Sequence, residues 1–300
     1  MTKPKKKRRR DDSAAAAVFL TPAMLGYALF IALPIVLVFY LSFTKYNLIS
    51  APKWTGLDNL RRFLTDPSIG PAFGNTLKFV LILVPLHLVL GLLIAYGIYC
   101  IRSSRLQAIF RGVVYFPSIV TAASVAIVFS AMFSTNSGFV NYYLTRLGAS
   151  PVPWLTDPGW VYVTIAIFSF WKTIGTTFLY YYIGLCNIPT GYYEAARIDG
   201  ASRLQNFFRI TVPLLTPTIF FVLITTCIGV FQIFDEPYFI TNGGPGTATV
   251  SVGLKIYRVA FKDMNYGYGS LISAVLFLVI LAITVIQFFG QKKWVVYDYE

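Results

Sequence analysis

An all-α membrane protein with six transmembrane helices is the fold class this sequence predicts. Three observations lead there. Only 12% of the 300 residues are charged, against about 25% in a soluble domain, while 56% are hydrophobic and the mean hydropathy is +0.66. Six stretches reach the roughly 20 apolar residues that a helix needs to cross a bilayer. The segments joining them alternate between rich and poor in Lys and Arg, as the positive-inside bias requires.

The elements follow in chain order. Residues 1–15 form a basic tail, and seven of the 25 basic residues sit in its KPKKKRRR run. Such a run also suits nucleic acid. No basic surface interleaved with aromatics follows it, so a cytoplasmic tail held near anionic lipid is expected, and no nucleic-acid partner. The first span, 16–41, far exceeds the about 7–15 apolar residues of a signal-peptide core and has no cleavage pattern, so it is expected to be retained. The others are placed at 76–99, 112–133, 161–185, 214–234 and 271–289, giving a membrane domain over 16–290 and a short tail over 291–300. Pro22, Pro34 and Pro85 fall inside spans, where neighbours can satisfy the freed carbonyls. Trp154, Trp160 and Trp294 stand at span ends, as interfacial anchors do. The three cysteines, Cys100, Cys186 and Cys227, show neither disulfide nor metal spacing, and no metal site is expected.

Orientation follows from counting Lys and Arg. One side carries 15, in both tails and in the loops containing Arg102, Arg105 and Arg111 and then Arg197, Arg203 and Arg209; the other carries eight. Both termini are therefore expected in the cytoplasm of a prokaryotic cell, with the long loops 42–75, 134–160 and 235–270 outside.

One cytoplasmic segment is unlike the rest. PTGYYEAARIDGASRLQNFF, residues 189–208, reads as an amphipathic helix starting at Pro189 and Thr190, with Glu194 in its first turns. Ile198, Ala201, Leu204 and Phe208 recur at spacings of three and four and form one apolar stripe. Gly200 interrupts the helix at about 1 kcal/mol relative to alanine and permits a bend or a close backbone approach. Lipid-surface binding and docking of a cytoplasmic partner both fit such an element.

The segment resembles the coupling-loop motif of the inner-membrane permease subunits of binding-protein-dependent ABC importers. Glu194, Ala195, Ala196, Gly200, Ile210 and Pro213 fill its places, and Asp199 and Ala201 match the form common in sugar permeases. Residues 231–261, FQIFDEPYFITNGGPGTATVSVGLKIYRVAF, and 54–64, WTGLDNLRRFL, resemble the branch of the larger maltose permease subunit, here in a compact six-span form without that subunit's extra spans and large outer domain. The resemblance implies the ABC importer permease fold, with a coupling helix between the fourth and fifth spans. It implies a second permease subunit, two cytoplasmic ATPase subunits that bind ATP and Mg²⁺, and an extracytoplasmic binding protein that delivers a carbohydrate. It implies that Glu194, Ala195, Ala196, Asp199, Gly200, Ala201, Leu204 and Phe208 couple to the ATPase. The chain has no GxxxxGK[ST] phosphate loop, so it is expected to be no enzyme and to bind no nucleotide cofactor itself.

Polar residues inside spans are the candidates for the pathway. Lys172 lies near the middle of the fourth span, where an unpaired charge is costly. With Thr173, Thr176, Thr177 and Tyr180 it suggests a polar face on the route, a contact with the partner subunit, or an ion pair. Phe231, Gln232 and Asp235, with Phe234, Glu236 and Tyr238, close the fifth span on the outer side and offer the hydrogen bonds and aromatic faces a sugar needs. His87 follows Pro85 and is expected to bond kinked backbone, while Lys78 snorkels. A glycerol-3-phosphate or phosphodiester permease is the alternative, with Lys172 as counter-charge. A secondary transporter would want repeated halves, and a membrane enzyme clustered catalytic groups; neither pattern is present.

Overall fold

The computed structural model describes residues 8–296, with side chains from residue 16. Of the basic tail expected over 1–15, residues 1–7 lie outside the described part and the rest belongs to the helix that starts at Arg8; the last residues, 297–300, also lie outside it. Helices come in the order α1 (Arg8–Tyr27), α2 (Leu33–Leu41), α3 (Asp58–Thr65), α4 (Ile69–Tyr99), α5 (Ser104–Ile119), α6 (Ala122–Met132), α7 (Phe139–Arg146) and α8 (Trp160–Cys186). They continue with α9 (Thr190–Ile198), α10 (Arg203–Asn206), α11 (Val212–Leu214), α12 (Thr216–Phe231), α13 (Asp235–Phe239), α14 (Val252–Tyr257) and α15 (Tyr266–Gln291). A two-stranded hairpin, β1 (Thr44–Lys45) with β2 (Lys53–Trp54), is the sheet found among the described residues. The chain divides into two compact units: the residues up to Thr65 with Ile256–Val275, and Asp66–Lys255 with the residues from Leu276 on.

In the first unit, α1 and α2 make one span over Ala16–Leu41, joined by a π turn at Ala28–Ala32. Pro34 cannot donate an amide to the turn before it, and the wider π turn absorbs the missing bond. None of this span is buried within the chain. The hairpin after it is held by the Asn59 amide, which donates to the carbonyls of Ser42 and Thr44 at 2.9 Å each. Phe43 stacks on Trp54 at 5.5 Å, and the Arg62 guanidinium lies 4.2 Å over the ring of Tyr268.

The second unit is built on α4 and α8, with α5 against α8 and α12 against α4. Its core includes Ala95, Phe178, Tyr181, Leu185, Leu215 and Val222. Small residues set the spacing, as in membrane bundles generally. A β-carbon at Gly175 of α8 would lie 2.6 Å from the Ser118 hydroxyl and 2.8 Å from the Tyr115 Cα, so α5 can approach only because position 175 is glycine. α4 has 31 residues, or about 46 Å at 1.5 Å per residue, and starts at Ile69, before the 76 expected.

The third hydrophobic stretch, expected as a single rod over 112–133, is two helices. α5 and α6 meet at 96°. Pro117 stands in the last turn of α5, Val120 and Thr121 are extended, and α6 starts afresh. The break strips backbone carbonyls of helical partners, which in lipid must be replaced. The Lys172 ammonium replaces one, donating to the Ser118 carbonyl at 3.1 Å, and the Ser118 hydroxyl donates back to the Lys172 carbonyl at 3.1 Å. Five described helices are long and apolar enough to span, or six elements if the bent pair counts as one.

Two asparagines organise the loops. Asn75 of α4 donates to the carbonyls of Thr247 and Val250 at 2.8 and 3.2 Å and accepts from the Tyr162 hydroxyl at 2.9 Å. This fixes the NGGPG loop against α4 and α8. Asn141 of α7 gathers Thr135, Val152 and the Trp154 indole. Trp154, expected as an interfacial anchor, is thereby a buried loop residue, packed edge-on against Phe133 and Trp160; the exposed anchors are Trp160 and Trp294.

Candidate functional site

Two places in the second unit gather the residues singled out by sequence. The first is a cavity of about 490 Å³ between α4, α8, α12 and α13. α8 contributes Ser169, Thr173, Thr176, Thr177 and Tyr180. α12 contributes Thr225, Thr226, Gly229 and Val230, and the segment after it Gln232, Ile233, Phe234, Asp235 and Glu236. The spacing of 169, 173, 176, 177 and 180 is that of one helix face, which is why a run that looks scattered in sequence makes a continuous polar wall. α12 stops at Phe231, and α13 restarts four residues later, so the two carboxylates are carried on a break in the fifth span.

Of the sequence candidates, Thr176, Tyr180, Gln232 and Asp235 line this cavity. Phe231 does not; it is buried in the packing of α12. Lys172 does not either, because its ammonium is turned to the Ser118 carbonyl at the α5–α6 break. His87 joins the wall. It is buried, one ring nitrogen pairs with the Leu83 carbonyl of its own helix at 2.8 Å, and the other pairs with the Thr173 hydroxyl at 2.7 Å. Its bond to helix backbone is the expected one; the tie to α8 is additional. Thr225 and Thr226 were not singled out in the sequence, although two adjacent threonines in a span are a readable signal. Glu236 lines the cavity beside Asp235. Among the described residues no group of three His, Cys, Asp or Glu is placed to hold a metal.

The second place is the segment from Thr190 to Thr211. It is two short helices with the bend at Gly200 between them, as the interruption of the amphipathic helix there allowed. α9 follows extended Pro189 and ends in a Schellman turn: the Ala201 amide donates to the Ala196 carbonyl at 2.9 Å and the Gly200 amide to the Arg197 carbonyl at 3.2 Å. That turn needs a left-handed residue, and Gly200 has φ +76°. α10 begins with a capping box in which the Gln205 amide donates to the Ser202 hydroxyl and the Ser202 amide to the Gln205 side chain, at 3.3 and 2.7 Å. DGAS is thus a stop signal followed by a start signal. Of the two uses the sequence left open for Gly200, the bend is the one found. Nothing lies within 4 Å of where its β-carbon would be, so no close approach is involved.

The apolar residues do not share a helix face, because the break separates Ile198 from Leu204 and Phe208. All three are nonetheless open, at 87%, 69% and 60% exposure, while Ala201 is half-buried. Glu194 makes no helix cap; α9 has no side-chain cap at all. Its carboxylate side lines a groove with Arg197, Arg203, Tyr96 and Asn206. Ala195 and Asp199 are exposed on α9 and its end. The knob is tied down at its base: the Tyr193 and Thr211 hydroxyls are 3.0 Å apart, and Phe207 packs on Tyr96 with ring centroids 4.6 Å apart. Burial pushes the Tyr193 phenol above its usual range, so it stays protonated in that bond.

A bundle of apolar spans enclosing a hydroxyl-lined cavity, with a rigid two-helix knob following one of its spans, defines a subunit for moving polar cargo across a membrane. The comparisons with known proteins agree. The family described as the binding-protein-dependent transport system inner membrane component matches residues 87–292, and this chain belongs to it. The probable ABC transporter permease protein YesP of Bacillus subtilis is 36% identical over 285 residues, which cover 93% of this chain and 91% of YesP. The lactose transport system permease protein LacF of Rhizobium radiobacter is 33% identical over 92% of this chain and 93% of its own. The trehalose/maltose transport system permease protein MalF of Thermococcus litoralis is 34% identical over 88% and 89%. A solved bacterial ABC transporter involved in the import of the acidic polysaccharide alginate superposes with a TM-score of 0.82 at 23% identity, covering 96% of this chain and 98% of the matched one, and shares the fold.

Proposed function

We propose that this chain is one permease subunit of an ATP-driven importer, and that the cargo crossing its cavity is a carbohydrate delivered by an extracytoplasmic binding protein. The observation that carries this reading is the cavity itself. Its volume is within the roughly 300–1,000 Å³ of small-molecule sites, and its wall combines five threonines, a serine, a tyrosine, an amide and two carboxylates with the ring of Phe234. That mixture suits a polyhydroxylated ligand. The lactose and trehalose/maltose transport names of LacF and MalF support the same class of cargo.

The remaining parts of the machine follow from the second site. A knob with three large apolar side chains in water asks for a protein surface, and its capped, hydroxyl-tethered construction lets it pass a push to α8 and α12. Two cytoplasmic ATPase subunits supply that push and bind the ATP and Mg²⁺; this chain hydrolyses nothing. A second permease subunit completes the route, and both termini face the cytoplasm. Glu194, Ala195, Ala196, Asp199, Gly200, Ala201, Leu204 and Phe208 belong to the coupling surface. The glycerol-3-phosphate alternative is the less favoured, since Lys172, its one candidate counter-charge, is not among the residues lining the cavity.

The test is reconstitution of the co-encoded subunits in liposomes with the cognate binding protein outside and ATP inside. Sugar-dependent ATP hydrolysis with sugar accumulation is expected. Hydrolysis that no sugar stimulates, or uptake by this chain alone without ATP, would refute the proposal.

A further inference from the structure

We infer that a second groove between α4 and α8, separate from the hydroxyl-lined cavity, binds one anionic phospholipid, with its phosphate at Lys78 and an acyl chain laid along the two helices. The groove has a volume of about 680 Å³. α4 gives it Ile82, Leu86 and Leu90, and α8 gives it Val163, Ile167 and Trp171. Each set recurs at a spacing of four, so each makes one apolar stripe on its helix. Lys78 stands one further step of four along α4, and among the described residues it is the one charged side chain in the lining. A space that is apolar along its length and cationic at one end has the polarity of a phospholipid. It offers a polyhydroxylated cargo almost nothing to bond.

Length and charge select this occupant. Twelve positions separate Lys78 from Leu90, or about 18 Å at 1.5 Å per residue. The hydrocarbon of one leaflet is about 15 Å thick, half of the bilayer core. The groove is therefore one leaflet deep. At its inner end Trp171 is backed by Phe129 of α6, with ring centroids 5.4 Å apart. A helix from another subunit would want a face running the whole span of about 20 residues, whereas an acyl chain wants a single leaflet. At the mouth, Lys78 makes no ion pair within 4 Å among the described residues. Its ammonium lies 5.4 Å over the ring of Tyr162. That contact holds the charge in place and leaves N–H donors for an anion. The ring is itself pinned, because the Tyr162 hydroxyl is bonded to the Asn75 side chain at 2.9 Å and to the Ala248 carbonyl. The cation is thus presented at a span end, where lipid phosphate is the abundant counter-charge.

The test uses the complex purified with its co-encoded partners in detergent, stripped of lipid and titrated with dioleoyl phosphatidylglycerol. Retained lipid is counted by native mass spectrometry. One tightly held lipid on this subunit is expected, and neither inorganic phosphate nor dioleoylglycerol should displace it. Lys78→Met should weaken it about tenfold, as the loss of one charge-assisted hydrogen bond implies. Lys78→Arg, keeping the charge, should retain it. Val163→Trp should fill the groove and abolish the tight site, while Leu81→Trp, on α4 but outside the lining, should leave it intact. Lys78, Leu81 and Val163 are all exposed, so these variants should fold. Unchanged affinity in Lys78→Met, the same loss in Lys78→Arg, or a lipid retained in Val163→Trp overturns the inference. Displacement by inorganic phosphate alone overturns it too, since the site would then be an anion site only. Loss of the second permease subunit from the Val163→Trp complex also overturns it, because a protein helix would then be what covers the groove.

Discussion

The knob and the cavity invert their surroundings in opposite senses. The knob follows a span end and turns Ile198, Leu204 and Phe208 outward, while its polar atoms close its own turns. The cavity is set among apolar spans and turns hydroxyls and carboxylates inward. Each is the wrong polarity for its solvent. The difference teaches what each is for. Apolar surface kept in water is resolved by a protein partner, and polar surface kept in lipid by water and a polar cargo. The two are joined by α8, which carries the cavity wall from Ser169 to Tyr180 and leads into the knob through Ile188 and Pro189.

The largest effect is expected from removing the knob's inversion. Ile198→Glu with Leu204→Glu gives its surface the polarity its solvent favours. Both side chains are exposed, so the bundle should fold and insert as before. If they are docking anchors, about 2–4 kcal/mol of binding should vanish, and the ATPases should fail to copurify. Retained copurification with normal sugar-stimulated hydrolysis would show that lipid, and no protein, covers them.

The cavity is probed by a smaller change. Thr173→Val keeps the shape of the side chain but leaves the buried His87 nitrogen without its 2.7 Å partner. An orphaned buried polar group costs about 1–3 kcal/mol. A lower melting temperature of the detergent-solubilised complex is expected, with knob function intact. No shift would mean that water replaces the hydroxyl, and that this part of the wall is wetter than its packing indicates.

How much of each region was legible in sequence follows from how each is made. The knob is local: Pro189, Gly200 and Ser202 are stop and start signals within fourteen residues, and the bend at Gly200 was readable. What was not read is the capping box of Ser202 and Gln205 that starts the second piece and takes Leu204 and Phe208 off the face of Ile198. The cavity is non-local. Thr176 and Tyr180 could be placed by helical spacing, but that Thr225 and Thr226 face them depends on how α12 packs across α4 and α8. Lys172 shows the limit most clearly. Its depth in the span was correct, yet its partner is a carbonyl freed by a bend at Pro117, 55 positions away, that hydropathy averaged into one continuous span. Trp154 likewise sits near a span end by count and in a loop core by structure.

A third substitution separates the knob's shape from its surface. Gly200→Ala adds a methyl into open space, so no clash arises. The cost is conformational alone, about 1–2 kcal/mol for holding a β-carbon residue left-handed. The Schellman turn should loosen and the angle between α9 and α10 drift. Sugar-stimulated hydrolysis should fall several-fold while the ATPases still copurify. Full activity would mean that docking re-forms the turn and that its preorganisation is dispensable.

The smallest structural effect, and the cleanest functional reading, belongs to Glu194→Ala. Glu194 caps no helix amide and is exposed in the middle of α9. A surface change of that kind stays within about 0.5 kcal/mol of neutral, and alanine is the better helix former. The melting temperature of the complex should therefore be unchanged. Glu194 nevertheless lines one groove with Arg197 and Arg203, and neither forms an ion pair with it within 4 Å. A carboxylate kept beside two arginines without closing on them is available to a partner's basic or amide donor, as a charge-assisted bond at an interface requires. Any loss of hydrolysis in this variant must then arise across the interface, because the fold has nothing to lose. A several-fold drop in sugar-stimulated turnover at constant melting temperature is the expected result. A drop in both together would return Glu194 to the chain's own architecture, and no change in either would confine the coupling surface to the apolar residues around it.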